Sequence, residues 1–235
     1  MKLWRNKSSR VKRQRFYCLL LTAYCLLSTA YSMLPTVSWA AISCELNDPD
    51  RDTRRLFPES TGYKTNVITI LERGGETLAK KIEERLGDSF EPVYETLDVP
   101  HFYYQIFKGK EHIGWVFGAN QKGEYGALQL ILATDLKGKI LNFYYQRISS
   151  PDAKRFRDKG FLESFKGLTL NDFLNYDPKT KKVNDPASPL SRIKNPIERN
   201  DIDFKATLRG LKKNLIQFNE FWFPSSHSSP IRGED

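Results

Sequence analysis

Apolar and polar positions alternate along the middle of the chain in two successive pairs of segments. HFYYQIF and HIGWVFG flank a turn at residues 108–110, and YGALQLILAT and KILNFYYQRI flank a turn at residues 135–138. Period-two alternation on either side of a short turn containing glycine is typical of β-hairpins. The pattern therefore predicts two hairpins that follow each other in an antiparallel meander.

In several segments around these hairpins, apolar residues recur at helical spacing. GGETLAKKIEERLG, DAKRFRDKGFLESF and LTLNDFLN are predicted helices, the last with Thr169 as N-cap, and the final helix is predicted from about Phe204 to Phe221. NVITIL is predicted as a strand, residues 54–57 as a short helix, and residues 176–200 as a long surface loop. The fold class predicted is α+β, an antiparallel sheet built from two hairpins with helices packed around it.

The N-terminus has the layout of an export signal. Seven cations precede the first acid, and an uncharged apolar stretch follows from residue 16 to residue 34. Cleavage after Ala40 is one interpretation. An uncleaved membrane anchor is another, because about 20 apolar residues span a bilayer. A loose lipobox that ends at Cys44 indicates lipidation as a third. All three place residues 45–235 outside the cytoplasm, in the periplasm or on the outer side of the membrane.

The charge of the chain follows from that layout. Its net charge is +9, but much of the excess belongs to the N-terminal segment, so the remainder is only mildly basic and a nucleic-acid partner is not expected. We divide the chain into a signal or anchor (1–40), an N-terminal extension with a strand and a helix (41–100), the main domain (101–223) and a disordered tail (224–235). Without the first 40 residues Cys44 is the remaining cysteine, which excludes an intramolecular disulfide.

Residues that commonly carry catalysis do not form a recognisable set. The three histidines, His101, His112 and His227, fall in two predicted strands and the tail, and none has the spacing of a metal site. No P-loop, dinucleotide fingerprint or nucleophile elbow is present. The sequence predicts neither a catalytic residue nor a metal ligand, and it leaves open whether the protein is an enzyme.

The final helix carries a second, basic stripe at Lys205, Arg209, Lys212 and Lys213. Asp203 is a natural N-cap for a helix that begins at Phe204 or Lys205. The free N–H groups of a helix start attract phosphate, and the hydroxyl of Thr207 would add to such a site. The basic stripe has two interpretations, a phosphate site or an ordinary solvated face.

An ordered set of motifs resembles the FMN-binding domain family. The set comprises the hairpin GEYGALQLILATDLKGKILNF, the segment FLESFKG, Ser149-Ser150-Pro151-Asp152 in the place of the family's E-T-P-G, and Asp201, Ala206 and Thr207 in register with D-x-x-S-G-A-T. The resemblance covers roughly residues 100–221. That family includes the flavin-carrying subunits of the Rnf and sodium-pumping NADH:quinone reductase complexes and the extracytoplasmic domain of the NosR regulators. Phe204 and Lys205 depart from the motif, replacing its serine and glycine.

The resemblance implies an extracytoplasmic, membrane-associated electron-transfer protein with FMN as cofactor. Thr207 would hold the FMN phosphate next to Ala206, and in the family this bond is a phosphoester made by a flavin transferase. Lys205 and Arg209 would balance the phosphate charge, while Tyr125, Ser150 and Pro151 would line the ring pocket. A membrane-bound redox partner would exchange electrons with it. The alternative is a degenerate member of the family, a sensor or interaction module without flavin.

Overall fold

A five-stranded antiparallel sheet forms the centre of the protein. The computed structural model describes residues 44–92, 94–198 and 201–223. The strands run in the order β1-β2-β3-β4-β5, with the bounds Gly62–Ile68, His101–Lys108, Glu111–Gly123, Gly126–Thr134 and Ile140–Arg147. Each strand pairs with its sequence neighbour. The predicted meander is confirmed, and so is the α+β fold class.

Seven α-helices and a small second sheet surround the central sheet in the described part of the chain. The helices are α1 (Pro49–Leu56), α2 (Ile70–Arg73), α3 (Gly75–Leu86), α4 (Ala153–Phe156), α5 (Lys159–Glu163), α6 (Leu170–Leu174) and α7 (Ile202–Trp222). A 3-10 helix spans Pro189–Arg192, and the second sheet pairs β6 (Tyr176–Asp177) with β7 (Lys182–Val183).

Both predicted hairpin turns are confirmed, and each depends on a glycine in the left-handed region. Gly109 has φ +61° between β2 and β3, and Gly138 has φ +82° between β4 and β5. In the second turn Asp135 Oδ1 accepts hydrogen bonds from the N–H groups of Lys137 and Lys139, both at 2.9 Å. These contacts satisfy the turn backbone, because an Asp side chain can take the place of a main-chain acceptor.

Helix α7 covers one face of the sheet and lies mainly against β3. Alternate residues of the strands point toward it, and the ring of Phe117 stacks on that of Phe218 with centroids 4.6 Å apart. Gly210 permits the close approach, since a Cβ there would lie 2.5 Å from Leu130 Cδ1. The larger hydrophobic core forms between α7 and the sheet.

The opposite face of the sheet is covered by the segment that precedes β1. Cys44, Leu46 and Phe57 pack against Tyr104 and Ile131 in a second core cluster. Cys44 lies so close to β3 that a Cβ at Gly118 would be 2.8 Å from its Sγ. Residues from the N-terminal extension therefore complete the same sheet and the same two cores as residues 101–223.

Three sequence predictions need correction. The strand predicted as NVITIL begins earlier, at Gly62, and ends at Ile68, while Ile70 and Leu71 belong to α2. Residues 176–200 are less of a surface loop than predicted, because Tyr176, Leu190, Ile193 and Ile197 pack into the larger core. The helix predicted over 152–165 is interrupted and forms α4 and α5. Helices α3 and α6, and Thr169 before α6, are as predicted. The predictions for residues 1–40 and for the tail lie outside the described residues.

Candidate functional site

Three parts of the fold meet at the N-terminal half of α7. The carboxylate of Asp203 reaches the β3–β4 turn, where its Oδ1 accepts a hydrogen bond from the Glu124 N–H at 2.8 Å. The phenol of Tyr145, near the end of β5, lies 2.7 Å from Thr207 Oγ1. The fold thus brings the start of α7 next to the β3–β4 turn and the end of β5.

The N-terminus of α7 differs from the prediction. The helix begins at Ile202 with Asp201 in the N-cap position, and the Lys205 N–H donates to the Asp201 carbonyl at 2.8 Å. Asp203 is not the N-cap. It lies in the first turn with its side chain buried against the β3–β4 turn. Because Asp203 binds across to the sheet, the helix extends two to three residues further toward the N-terminus than predicted.

Thr207 is the sixth residue of α7, beyond the first turn whose N–H groups lack helical partners. Its side chain is 0% exposed. Oγ1 donates to the Asp203 carbonyl at 2.7 Å, so the hydrogen bond with Tyr145 takes its proton from the phenol. Burial raises the pKa of Tyr145, which keeps that proton in place. The hydroxyl therefore has two partners within the protein.

Lys205 and Ala206 are both partly buried. Lys205 forms an ion pair with Asp201 one turn earlier. It also lines a cavity of about 420 Å³ together with Phe204 and Tyr176. The two residues that depart from the family motif, Phe204 and Lys205, therefore face the same space.

The remaining residues predicted for a ring pocket differ in their exposure to solvent. Tyr125 is 51% exposed on the β3–β4 turn. Ser150 is buried and its Oγ accepts a hydrogen bond from the Asp152 N–H at 3.2 Å, while Pro151 is exposed. Of the seven predicted residues, Lys205 is the one found among the residues that line the two larger cavities.

The basic stripe of α7 is buried, so its interpretation as a solvated face is wrong for three of the four cations. Arg209 uses its guanidinium for Asp88 at 2.7 Å, for Glu95 at 2.8 and 3.1 Å, and for the carbonyl of Ser89 at 2.8 Å. A further hydrogen bond from Arg209 reaches Gln121 at 2.8 Å. Every nitrogen of its guanidinium is thus engaged within the protein.

Lys213 and Lys212 have internal partners as well. Lys213 forms an ion pair with Glu95 and donates to the Asn120 carbonyl at 2.8 Å. Lys212 donates to the Tyr176 carbonyl at 2.8 Å. We call Glu95, Arg209 and Lys213 the buried charge cluster. Periodicity could not reveal it, because Glu95 lies in an irregular segment more than 100 residues away in sequence.

Burial and the charges of the cluster shift the pKa values of Glu95, His101 and Cys44. Burial alone would raise the pKa of Glu95, but the positive charges of Lys213 and Arg209 outweigh it and lower the pKa to about 2. Burial and the charge of Lys213 lower the pKa of His101 to about 4. Burial raises the pKa of the Cys44 thiol to about 12. Glu95 is therefore ionised, and His101 and Cys44 uncharged, at neutral pH.

The two described histidines have structural contacts. His101 lies on β2 with its ring 5.8 Å from that of Phe221, and His112 Nε2 is 3.0 Å from the Gly114 carbonyl. Both are half-buried strand residues, as predicted. Within residues 44–92, 94–198 and 201–223, no three His, Cys, Asp or Glu side chains are grouped so that they could hold a metal ion.

Comparison with known proteins adds no further identification. No known protein-family model matches the chain, and no curated protein sequence matches it. None of the described helices is both long enough and apolar enough to cross a membrane.

Proposed function

We propose that this protein is an extracytoplasmic, membrane-associated sensor or interaction module that resembles the FMN-binding domain but carries no flavin on Thr207. The observation that supports this most is the position of the Thr207 hydroxyl. It is fully buried, it donates to the Asp203 carbonyl, and it accepts from Tyr145.

The chemistry of phosphoester formation explains why Thr207 in this position does not carry FMN. To form a phosphoester, the hydroxyl must reach a phosphoryl group and lose its proton to a base. The hydrogen-bond partner of the Thr207 proton is a main-chain carbonyl, which is not a base, and Tyr145 closes the other side. Attachment of FMN would require the first turns of α7 to leave the sheet.

The membrane association rests on the layout of residues 1–40, and Cys44 limits how it is achieved. The thiol of Cys44 is buried in the second core cluster. A lipid on its sulfur would force this residue out of the core. Of the two interpretations that attach the protein to the membrane, we therefore favour an uncleaved anchor over lipidation.

In a second candidate function, the protein binds FMN without a covalent bond to Thr207. The cavity of about 420 Å³ beside α7 is lined by the aromatic rings of Tyr176 and Phe204, and its two lysines, Lys181 and Lys205, are balanced by Glu198 and Asp201. The aromatic surface would receive the flavin ring, and Lys181 would contact its phosphate. An electron carrier that holds FMN non-covalently there would pass electrons to a membrane-bound partner, and the cofactor would supply the redox chemistry.

One experiment separates these functions. The full chain is produced in a host that contains a flavin transferase, and its intact mass and visible spectrum are recorded before and after denaturation, with Thr207→Ala as the matched control. We expect both proteins to be colourless, with no mass increment from flavin. A yellow native protein that releases FMN on denaturation would support the second candidate. An increment of one FMN less one water, present in the unsubstituted chain and absent from Thr207→Ala, would contradict both.

A further inference from the structure

A wide cavity with a strongly basic lining lies apart from the Thr207 site. It has a volume of about 760 Å³ and is lined by residues of two segments, 154–164 and 192–196. Its cations are Lys154, Arg155, Arg192 and Lys194, and its acid is Asp158. We call this cavity the basic groove. Four positive charges and one negative charge leave an excess of three.

The fold holds these cations on short, well-anchored elements. Lys154 and Arg155 belong to α4, whose Phe156 is buried in the larger core, and Arg192 ends the 3-10 helix, whose Leu190 is buried. Asp158 uses Oδ1 to cap α5, accepting from the Phe161 N–H at 3.1 Å. The carboxylate is therefore occupied by the backbone, and it neutralises the groove only in part.

Among the residues that the structure describes, the cations of the basic groove form no ion pair with an acidic side chain. All four are exposed. This contrasts with the buried charge cluster, where Arg209 and Lys213 are neutralised by Glu95 and Asp88. Like charges gathered around one cavity repel each other, and an anion in the cavity relieves that repulsion.

The rest of the lining mixes apolar and polar residues. The ring of Phe161 is only 8% exposed and contacts Phe204 of α7 with centroids 6.2 Å apart. Pro196 provides a second apolar surface, and Ser164 and Asn195 add polar groups. The groove thus combines four cations with apolar surface, and its volume lies within the range of small-molecule sites, about 300–1,000 Å³.

We propose that the basic groove binds a ligand that bears a diphosphate or a phosphate monoester, with the organic part of the ligand on Phe161. An excess of three positive charges suits a polyvalent anion better than a single carboxylate. Arg155 and Arg192 can each bind a phosphate through two parallel hydrogen bonds, whereas the lysines act as point charges. The proposal concerns residues that the Thr207 site does not use, so it stands whether or not flavin is bound.

The test compares two triple variants with the same change in charge. Arg155→Gln, Arg192→Gln and Lys194→Gln remove cations of the basic groove. Lys64→Gln, Lys108→Gln and Lys110→Gln remove exposed cations from β1 and the β2–β3 hairpin, outside the groove. All six side chains are exposed, so circular dichroism should show both variants folded.

Inorganic pyrophosphate is the soluble probe, titrated by calorimetry, and vesicles containing phosphatidic acid, whose headgroup is a phosphate monoester, are the lipid probe, with phosphatidylcholine vesicles as the neutral reference. We expect the unsubstituted protein to bind at least one of the two probes. The groove variant should bind that probe with a dissociation constant at least about tenfold higher, because charge-assisted contacts are lost. The control variant should stay within about twofold, since its cations lie elsewhere.

The two probes also distinguish the source of the phosphate. Binding of pyrophosphate without binding of vesicles would identify the ligand as a soluble phosphorylated compound. Binding of anionic vesicles that pyrophosphate displaces assigns a lipid headgroup. Absence of binding to either probe, or an equal loss in the groove and control variants, would overturn the proposal.

Discussion

Thr207 Oγ1 lies between two polar groups, the carbonyl of Asp203 and the phenol of Tyr145, where water does not reach. The contact joins α7 to β5, which are more than 50 residues apart in the chain. At the scale of single residues the site is thus held together by hydrogen bonds whose loss would leave a buried partner unsatisfied.

Replacing Thr207 by valine should destabilise the fold. Valine has nearly the same shape but cannot accept the hydrogen bond from Tyr145, whose hydroxyl would remain buried without a partner. We expect a loss of about 1–3 kcal/mol in the free energy of unfolding, measured by urea denaturation.

The control for this substitution is a double-mutant cycle with Tyr145→Phe. If the contact supplies the stability, the double variant should be less destabilised than the sum of the two single variants. Strict additivity would show that the two hydroxyls do not interact, and would contradict the geometry.

Helix α7 depends on a glycine for its position on the sheet. A Cβ at Gly210 would lie 2.5 Å from Leu130 Cδ1 and 3.0 Å from Gln121 Cβ, inside a packed core. Alanine in a helix interior gains about 1 kcal/mol over glycine, whereas overpacking costs about 1–3 kcal/mol.

We therefore expect Gly210→Ala to lower the free energy of unfolding despite its better helix propensity. The measurement is urea denaturation of Gly210→Ala beside Gly62→Ala. Gly62 is the matched site, because a Cβ there meets nothing within 4 Å, and its substitution should change the stability by less than about 0.5 kcal/mol. A stabilised Gly210→Ala protein would mean that α7 lies further from the sheet.

The elements that the sequence predicts best are those that bury one face in a regular period. Helix α3 is of this kind, with Ala79, Ile82 and Leu86 buried at helical spacing. The sheet is covered on both faces and β4 is buried along most of its length, so the hairpins are recognised as much by their glycine turns as by alternation. Strand β1 is an edge strand that leaves residues such as Lys64, Thr65 and Val67 exposed. Its sequence therefore lacks the apolar alternation that marks a strand, and the pattern does not indicate that β1 begins at Gly62.

The candidate site was harder to predict than the fold. A stripe of cations at helical spacing indicates that they share a face, but not what that face meets. Arg209 and Lys213 are buried because Glu95 neutralises them from an irregular segment between α3 and β2. The hydrogen bonds of Thr207 with Asp203 and Tyr145 likewise depend on how α7 lies on the sheet, which the sequence pattern does not give.

At the scale of the whole molecule, stability should decline in acid in two stages. His101 and Glu95 both have pKa values below their usual 6.5 and 4.5, so the unfolded chain binds more protons than the folded chain. The free energy of unfolding should fall from about pH 6.5 toward pH 4 because of His101, and from about 4.5 toward 2 because of Glu95. Each group contributes a slope of up to about 1.4 kcal/mol per pH unit.

Urea denaturation at a series of pH values measures this decline, and Glu95→Gln is the variant that identifies its lower stage. It should cost about 3–5 kcal/mol at pH 7, because Lys213 loses its acidic partner and Arg209 keeps only Asp88. The difference from the unsubstituted protein should shrink below about pH 4.5, where the carboxylate of the unfolded chain becomes protonated. A difference that stays constant down to pH 2 would contradict the role of the Glu95 charge.

The place of α7 at the end of the fold has a consequence for how the protein is made. Synthesis proceeds from the N-terminus, so the sheet and Glu95 leave the ribosome before the helix that covers them. Until residues 202–222 follow, aromatic side chains such as Phe117 and Tyr103 lack their main cover. The nascent chain therefore presents an apolar sheet face for as long as synthesis is incomplete. Such a chain is suited to bind a chaperone through this apolar surface until α7 has been made.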